Sequence, residues 1–285
     1  MLTLFFHSKT AWNDHFPGSN SPNYNSQTYT SRQNPSVANV YVSNCLFKSI
    51  TYTSGSGGAL YCTSAAYFLV ELSSFFTCKS SGNGGGIYFS NSGGQSVLYK
   101  VCTYDCCTTS SSGHHFACIV VNNVATSKSY VNYSSITRCL NMASGSWHVL
   151  ALSYGNICCP SVNSSLNKCH GGTGMGCWPT SDSNSVTYSL TYSSFTDNHA
   201  TAYTCFWLNT GGAKYKIKSC NILRNTQDTL GTYGTIYTSG NMIIEDSCIL
   251  ENTANFIFYQ GSSYIITISN CTMDKTSKTG NVIIQ

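Results

Sequence analysis

Apolar residues come in short runs along this chain, and turns rich in Gly, Ser, Thr and Asn separate these runs. The longest runs, such as residues 116–121, have about six residues. No stretch keeps the 3.6-residue spacing of an amphipathic helix, whereas short apolar runs between turn residues are typical of strands. The pattern therefore predicts an all-β protein made of many short strands.

One six-residue pattern, which we call box 1, recurs along the chain. It has two small residues, one apolar residue, one variable residue, one usually charged residue and a closing Asn or Cys. The clearest copies are SSFTDN at 193–198, CNILRN at 220–225 and SCILEN at 247–252. Weaker copies lie at 73–78, 101–106, 134–139 and 164–169, and the most divergent copies lie at 44–49 and 270–275.

The spacing of box 1 points to one architecture. The nine copies follow one another about every 28 residues, which is shorter than a propeller blade of about 40–45 residues. Leucine-rich repeats have a similar length, but their frame of Leu residues is absent here. We therefore predict a right-handed parallel β-helix of about nine coils over residues 40–285. Residues 1–39 precede it as a poorly patterned N-terminal segment.

Box 1 also predicts which side chains face the core. Its apolar residue points inward, and its closing residue turns inward at a bend. We expect the closing Asn198, Asn225 and Asn252 to form a hydrogen-bonded ladder, which continues through Cys78, Cys106, Cys139 and Cys169. The penultimate position is charged in eight of nine copies and should form a solvent-facing column. Its residues are Lys48, Thr77, Asp105, Arg138, Lys168, Asp197, Arg224, Glu251 and Asp274.

A second pattern, box 2, follows box 1 by roughly ten residues. Its best copies are GGALY at 57–61 and GGGIY at 84–88, and later coils keep only the apolar-aromatic end. Because the preceding apolar residue faces inward, we expect an outward aromatic column of Tyr61, Tyr88, Trp178, Trp207, Tyr237 and Tyr259. Such a stripe can bind sugar rings or a partner protein. The alternative is that the rings stack on one another and only stabilise the sheet.

The alternation of the two boxes resembles the repeats of the polymorphic outer membrane proteins. The matching motifs are GGAL at 57–60, GGGI at 84–87 and FTDN at 195–198, and the resemblance covers roughly residues 40–285. It implies a right-handed β-helix with a surface or adhesion role. This chain departs from the family pattern because most coils replace the Asn by Cys or lack the double Gly.

Composition narrows the possible partners and compartments. Only 8% of the residues are charged, against about 25% in ordinary domains. The net charge of +4 is dispersed, so we expect no nucleic-acid partner. No apolar run approaches the roughly 20 residues of a membrane-spanning helix. The 16 Cys residues include no C-x-x-C motif. They are either buried small hydrophobes or disulfides formed in an oxidising compartment.

Candidate catalytic and metal-binding groups are sparse in this sequence. The ten acidic residues are scattered or belong to the charged column, so we predict no catalytic residues, although many β-helices are polysaccharide-cleaving enzymes. His170 with His199, and His115 with His148, are expected to stack in neighbouring coils. Neither pair has a third ligand, so we predict no metal site, and we expect no cofactor.

The favoured interpretation is a non-enzymatic adhesion or interaction protein at the cell surface or outside the cell. Its partner would be a host or cell-surface protein or a glycan. The acceptor sequons at Asn132 and Asn163 are the better glycosylation candidates, since the register places Asn270 inward. The alternatives are a polysaccharide lyase or glycoside hydrolase, and a truncated fragment without independent function. The run NVIIQ at 281–285 has no polar cap, which favours a fragment, and a truncated product would stay cytoplasmic.

Overall fold

The computed structural model describes residues 12–141, 146–202, 205–228 and 233–285. Apart from one short helix, Trp12–His15, its regular elements are strands, and every strand pair in these ranges is parallel. The strands stack into three long sheets that run along the molecule, together with two short ones. The protein is thus a parallel β-helix, as the spacing of box 1 predicts.

Sheet 1 has eleven strands: Tyr24–Asn25, Asn39–Ser43, Tyr67–Glu71, Gln95–Tyr99, Lys128–Asn132, Asn156–Pro160, Val186–Thr191, Lys214–Lys218, Asn241–Glu245, Ile266–Ser269 and Val282–Ile284. Sheet 2 has ten: Thr28–Tyr29, Leu46–Lys48, Ser74–Phe76, Cys102–Tyr104, Ser135–Thr137, Asn163–Ser165, Ser194–Thr196, Asn221–Leu223, Cys248–Leu250 and Thr272–Met273. Box 1 contributes the strands of sheet 2.

Sheet 3, to which box 2 contributes, has nine strands: Leu60–Cys62, Ile87–Ser90, Ala117–Val120, Leu150–Ser153, Met175–Trp178, Phe206–Leu208, Ile236–Thr238, Phe258–Gln260 and Lys278–Thr279. Two short sheets lie between sheets 2 and 3. One comprises Thr51–Tyr52, Lys79–Ser80 and Cys107–Thr108, and the other Leu140–Asn141, Lys168–Cys169, His199–Ala200 and Thr226–Gln227. Each coil passes from sheet 1 through sheet 2 to sheet 3.

Two sharp corners in each coil are made by single residues with positive φ. The corner between sheets 1 and 2 uses Ser26, Asn44, Leu72, Lys100, Tyr133, Ser161, Tyr192, Ser219, Asp246 and Asn270. The corner after sheet 2 uses Ser49, Thr77, Asp105, Arg138, Leu166, Asp197, Arg224 and Glu251. A left-handed residue reverses the side-chain alternation of a strand, so the residues on both sides of each corner can face the core.

The second corner tests the predicted charged column. Asp105, Arg138, Asp197, Arg224 and Glu251 occupy it, and Arg224 donates a bidentate pair of hydrogen bonds to Asp197 at 2.8 and 3.0 Å. The assignments of Lys48, Lys168 and Asp274 to this column are wrong. Lys48 lies within its sheet 2 strand, Lys168 pairs with His199 in a short sheet, and Asp274 follows Met273, which pairs with Ile249.

The predicted register is shifted where the residue that faces the core differs from the apolar residue that box 1 selected. In the first coil Phe47, rather than Leu46, faces inward and stacks on Phe75 with ring centroids 4.8 Å apart. In the fifth coil Ser164 pairs with Phe195 at the inward position, so Leu166 occupies the corner and half of its surface is exposed. A polar inward residue therefore displaced the predicted register.

The inward ladder forms, and it begins earlier than predicted. Asn167, Asn198, Asn225 and Asn252 stack, and the Nδ2 groups of the first three each donate to the Oδ1 of the next coil at 2.9–3.0 Å. Cys139 joins the column through its N–H, which donates to Asn167 Oδ1, while the N–H of Cys78 contacts Cys106 Sγ at 3.4 Å. The prediction for Cys169 is wrong because Asn167 fills that place. Cys169 pairs instead with Ala200.

The cysteines behave mainly as small core residues. All 16 are thiols in the structure, and twelve of them are buried. Burial raises the pKa of Cys107 to about 11 and those of Cys118 and Cys205 to about 12, so these thiols are protonated at neutral pH.

Regular structure extends into the N-terminal segment. Tyr24–Asn25 and Thr28–Tyr29 add strands to sheets 1 and 2, and Gln33 bridges to Leu60 in sheet 3. Trp12 and Phe16 pack against the outer face of sheet 1 with Tyr41, Leu69 and Val97. This small cluster covers a surface of the solenoid that its own strands leave apolar. Among the described residues, no helix is long and apolar enough to cross a membrane.

Candidate functional site

The outer face of sheet 3 carries the predicted aromatic column, with a gap in the middle. Pairing aligns Tyr61 and Tyr88 with Cys118, Ala151 and Gly176, and then with Trp207, Tyr237 and Tyr259. The placement of Trp178 in this column is wrong, because Trp178 pairs with Ser153, two positions farther along the strand. Being two residues from Gly176, it still faces the same side of the sheet.

On both sides of the gap the rings pack on one another. Tyr61 and Tyr88 are stacked with centroids 5.4 Å apart, and Trp207 and Tyr237 are stacked at 4.2 Å. Tyr259 follows Tyr237 at 5.6 Å. The structure therefore has the ring stacking that the alternative interpretation required, while every ring except Tyr237 remains partly exposed.

A cleft occupies the gap where Cys118, Ala151 and Gly176 bring no large side chain. Its volume is about 300 Å³, and it is lined by His114, Trp147, His148, Trp178 and Trp207. The Trp178 ring meets the His148 ring edge-on at 5.2 Å. Trp147 lies 6.4 Å from His148 on another side, and 42% of its surface is exposed. Two indoles thus contact a buried imidazole, and Trp207 lines the same cleft.

The corner that leads into sheet 3 supplies the histidines. In the coil of Gly84 and Gly85, the double glycine of box 2 forms this corner. Gly84 has φ 69°, and a Cβ on Gly85 would lie 2.4 Å from the Cys107 carbonyl oxygen. In the next coils the N–H of Gly85 donates to the carbonyl of His115, and the N–H of His115 to that of His148. His115 and His148 therefore occupy, in the next two coils, the corner position that Gly85 occupies in its own coil.

Two further glycines make room for the His148 ring. A Cβ on Gly172 would lie 2.3 Å from His148 Nδ1, and a Cβ on Gly176 would lie 2.3 Å from its Cδ2. Any larger residue at either position would clash with the ring. The glycines of the fifth coil thus leave the space that the imidazole occupies.

The three histidines are held neutral by burial. Desolvation lowers the pKa of His114 to about 4 and that of His115 to about 3, and it lowers the pKa of His148 well below its usual value, although the Gly172 backbone acts in the opposite direction. His114 stacks on His148 at 5.5 Å. Both ring nitrogens of His115 and Nδ1 of His148 make no hydrogen bond with the described residues.

The predicted histidine pairs have different outcomes. His115 and His148 lie in neighbouring coils, as expected, but both are buried, and the ring that stacks on His148 is His114 rather than His115. The pairing of His170 with His199 is wrong, because His199 pairs with Lys168 and Thr226 and lies 2.6 Å from Asp228, while His170 contacts Thr201. No three His, Cys, Asp or Glu residues within the described ranges group closely enough to hold a metal.

The sequons and acidic residues lie elsewhere. Asn132 is 9% exposed and Asn163 is exposed, and Asn270, which was expected to face inward, is exposed at a corner. Glu71 is buried and accepts hydrogen bonds from Tyr41 and Ser43. These carboxylate and sequon positions lie outside the aromatic cleft.

The sequence signal for the cleft was incomplete. Aromatic periodicity found Trp207 but misplaced Trp178, and Trp147 was missed because it lies in the corner before its strand. Its position next to His148 was the available signal. Comparison with protein-family models, curated proteins and solved structures finds no match to this chain.

Proposed function

We propose that this protein is a non-enzymatic interaction module that binds its partner through the outer face of sheet 3. The observation that carries the proposal is the cleft between the two ring stacks, which is lined by three tryptophans and two histidines. Aromatic side chains provide large contact areas on a rigid support and are enriched at binding hot spots. Partially exposed tyrosines extend this surface along the solenoid.

The proposed setting is the cell surface or the outside of the cell, with a protein or glycan partner. This setting is supported by the resemblance of the boxes to polymorphic outer membrane protein repeats and by the exposed sequon at Asn163. The enzyme alternative is less favoured because the cleft is lined by ring faces, whereas hydrolysis of glycosidic bonds usually requires a pair of carboxylates.

The test of the binding face uses the double variant Trp178→Ala with Trp207→Ala. We expect its binding to cells or to a glycan array to fall at least about tenfold, as for hot-spot residues. The matched control is Tyr192→Ala, which removes a 69% exposed ring at the corner between sheets 1 and 2. Equal binding by the double variant and the native protein would refute the proposed face.

The test of location is to express the gene in its native context and to probe unpermeabilised cells with an antibody. Surface labelling is the expected result. A signal that appears only after permeabilisation would contradict the proposed setting.

A further inference from the structure

The geometry points to a quaternary ammonium ligand, and we infer that the cleft formed by His114, Trp147, His148, Trp178 and Trp207 binds the trimethylammonium group of choline. This inference rests on the proposed binding role of sheet 3 and names the ligand class of that same site. Three features carry it: the arrangement of aromatic rings, the lack of charge in the lining, and the mainly apolar surface that the rings present.

The first feature is a set of rings from four successive coils. His114 precedes one sheet 3 strand, Trp147 and His148 precede the next, and Trp178 ends the third. The His114 and Trp178 centroids are 6.3 Å apart. Trp207, from the fourth strand, is held by stacking on Tyr237 at 4.2 Å. The walls are therefore fixed by the solenoid before a ligand arrives, so little ordering opposes binding.

The second feature is electrostatic. The faces of indole rings carry negative potential, which attracts a cation within about 6 Å of the ring centroid. No Lys, Arg, Asp or Glu lines the cleft within the described residues. The imidazoles are neutral at pH 7 because they are buried. No charged group in the described lining therefore repels a cation. The described lining also has no carboxylate, which would accept hydrogen bonds from a primary ammonium group and so favour it over a quaternary one.

The third feature disfavours a sugar ring or a phosphocholine group inside the cleft itself. A sugar needs partners for several hydroxyl groups, and the lining offers mainly ring carbon, with His148 Nδ1 against the Gly172 backbone. A trimethylammonium group needs no hydrogen bond at all. A phosphocholine head group would need a cation for its phosphate, and the part of the chain that the structure describes places none in the lining. Choline itself, rather than a phosphatidylcholine surface, is therefore the ligand that fits.

The experiment titrates the full chain with choline chloride at pH 7 and follows tryptophan fluorescence and heat. The comparison compound is 3,3-dimethyl-1-butanol, which has the same shape without the charge. We expect saturable one-to-one choline binding, with the neutral compound and methyl glucoside each bound at least about tenfold more weakly. Equal binding of choline and its neutral analogue, preferential binding of the glucoside, or no saturable choline binding would overturn the inference.

Variants locate the site. Trp178→Ala should weaken choline binding about tenfold, Trp178→Phe should retain part of it, and Tyr192→Ala should leave it unchanged. Circular dichroism checks that each variant is folded, and the comparison of choline with its neutral analogue in the native protein does not depend on any variant. Unchanged affinity in folded Trp178→Ala would place the choline site elsewhere and contradict the inference.

The two proposals fail in different ways. Choline binding without any effect of the Trp178 and Trp207 substitutions on cell or glycan binding would refute the proposed function alone. Loss of cell or glycan binding in these variants, with no choline binding by the native protein, would refute the ligand class alone. Vesicles of phosphatidylcholine should not compete with free choline, and strong competition would assign the cleft to a lipid surface instead.

Discussion

At the residue scale, the corners of the β-helix place residues other than glycine in the left-handed region of backbone conformation. Asn, Asp and Gly tolerate this region best, whereas other residues are strained by about 1 kcal/mol or more. Leu72 and Leu166 adopt φ 49° and 56° there, and each is half exposed. Because these side chains bury little apolar surface, their packing does little to offset the free-energy cost of the left-handed backbone.

This cost leads to a prediction for Leu166. Replacement by Gly should raise the free energy of unfolding by up to about 1 kcal/mol, because strain is relieved and little packing is lost. Leu140→Gly is the matched control, since Leu140 lies in a strand and is 37% exposed; it should destabilise the protein. Urea denaturation measures both changes. A loss of stability in Leu166→Gly would show that the corner does not strain its residue.

The buried histidines predict sensitivity to acid. Their pKa values are lower in the folded protein than the 6.5 of an unfolded chain, so protonation favours unfolding as the pH falls below 6.5. The free energy of unfolding keeps falling down to about pH 4 on account of His114 and down to about pH 3 on account of His115. Each histidine contributes a slope of about 1.4 kcal/mol per pH unit within its interval. Above pH 6.5 these groups contribute no pH dependence.

The variant His115→Leu isolates one of these groups. It removes two buried ring nitrogens that have no hydrogen bond within the described residues. We therefore expect unchanged or higher stability at pH 8 and a clear gain at pH 5 relative to the native protein. Urea denaturation at both pH values measures it. The same pH dependence in both proteins would show that His115 does not remain neutral when folded.

At the element scale, six of the nine copies of box 1 match the register of sheet 2. Phe195, Ile222 and Ile249 pair in this way, and their boxes need no adjustment. The first, fifth and last boxes are displaced by one, two and one residues relative to the structure. In the fifth box, the assumption that apolar residues face inward assigned Leu166 to the core. The polar Ser164 faces inward instead, and this register places Asn167 in the asparagine ladder.

The inward and outward positions of one strand can be compared directly by mutation. Ile249 is buried and Glu251 is exposed at the next corner. Ile249→Asp should lower the free energy of unfolding by several kcal/mol, because it places an unpaired charge in the core, whereas Glu251→Gln should cost under about 1 kcal/mol. Thermal or urea unfolding distinguishes them, and equal damage from both would reject the assignment.

The cleft was only partly predictable at this scale. The spacing of box 2 gave the outward column on sheet 3, and it correctly aligned Tyr61 with Tyr88 and Trp207 with Tyr237. The position of Trp178 depends on the length of the loop before its strand, which differs from coil to coil. Neighbouring residues with rings, His114 and Trp147, become part of the site only when coils stack.

At the scale of the whole molecule, contacts join each coil to its neighbours. Solenoids of this kind gain stability as a sum of coil and interface terms, and their long sheets give a stiff support. A site built from four successive strands of sheet 3 therefore has a fixed shape. The N-terminal cluster of Trp12 and Phe16 adds a cover on sheet 1, away from the cleft on sheet 3.

The asparagine ladder has a further consequence, because its amides all point the same way. The Nδ2 of Asn167, Asn198 and Asn225 each donates to the Oδ1 of the following coil. Turning one amide over would set oxygen against oxygen on one side and NH₂ against NH₂ on the other. The backbone imposes the same orientation, because each of these Oδ1 atoms also accepts from the backbone N–H of the preceding Asn, and each Nδ2 also donates to a backbone carbonyl. The column therefore carries one polarity along the axis, and even reversing all of its amides together would leave these backbone groups without their partners.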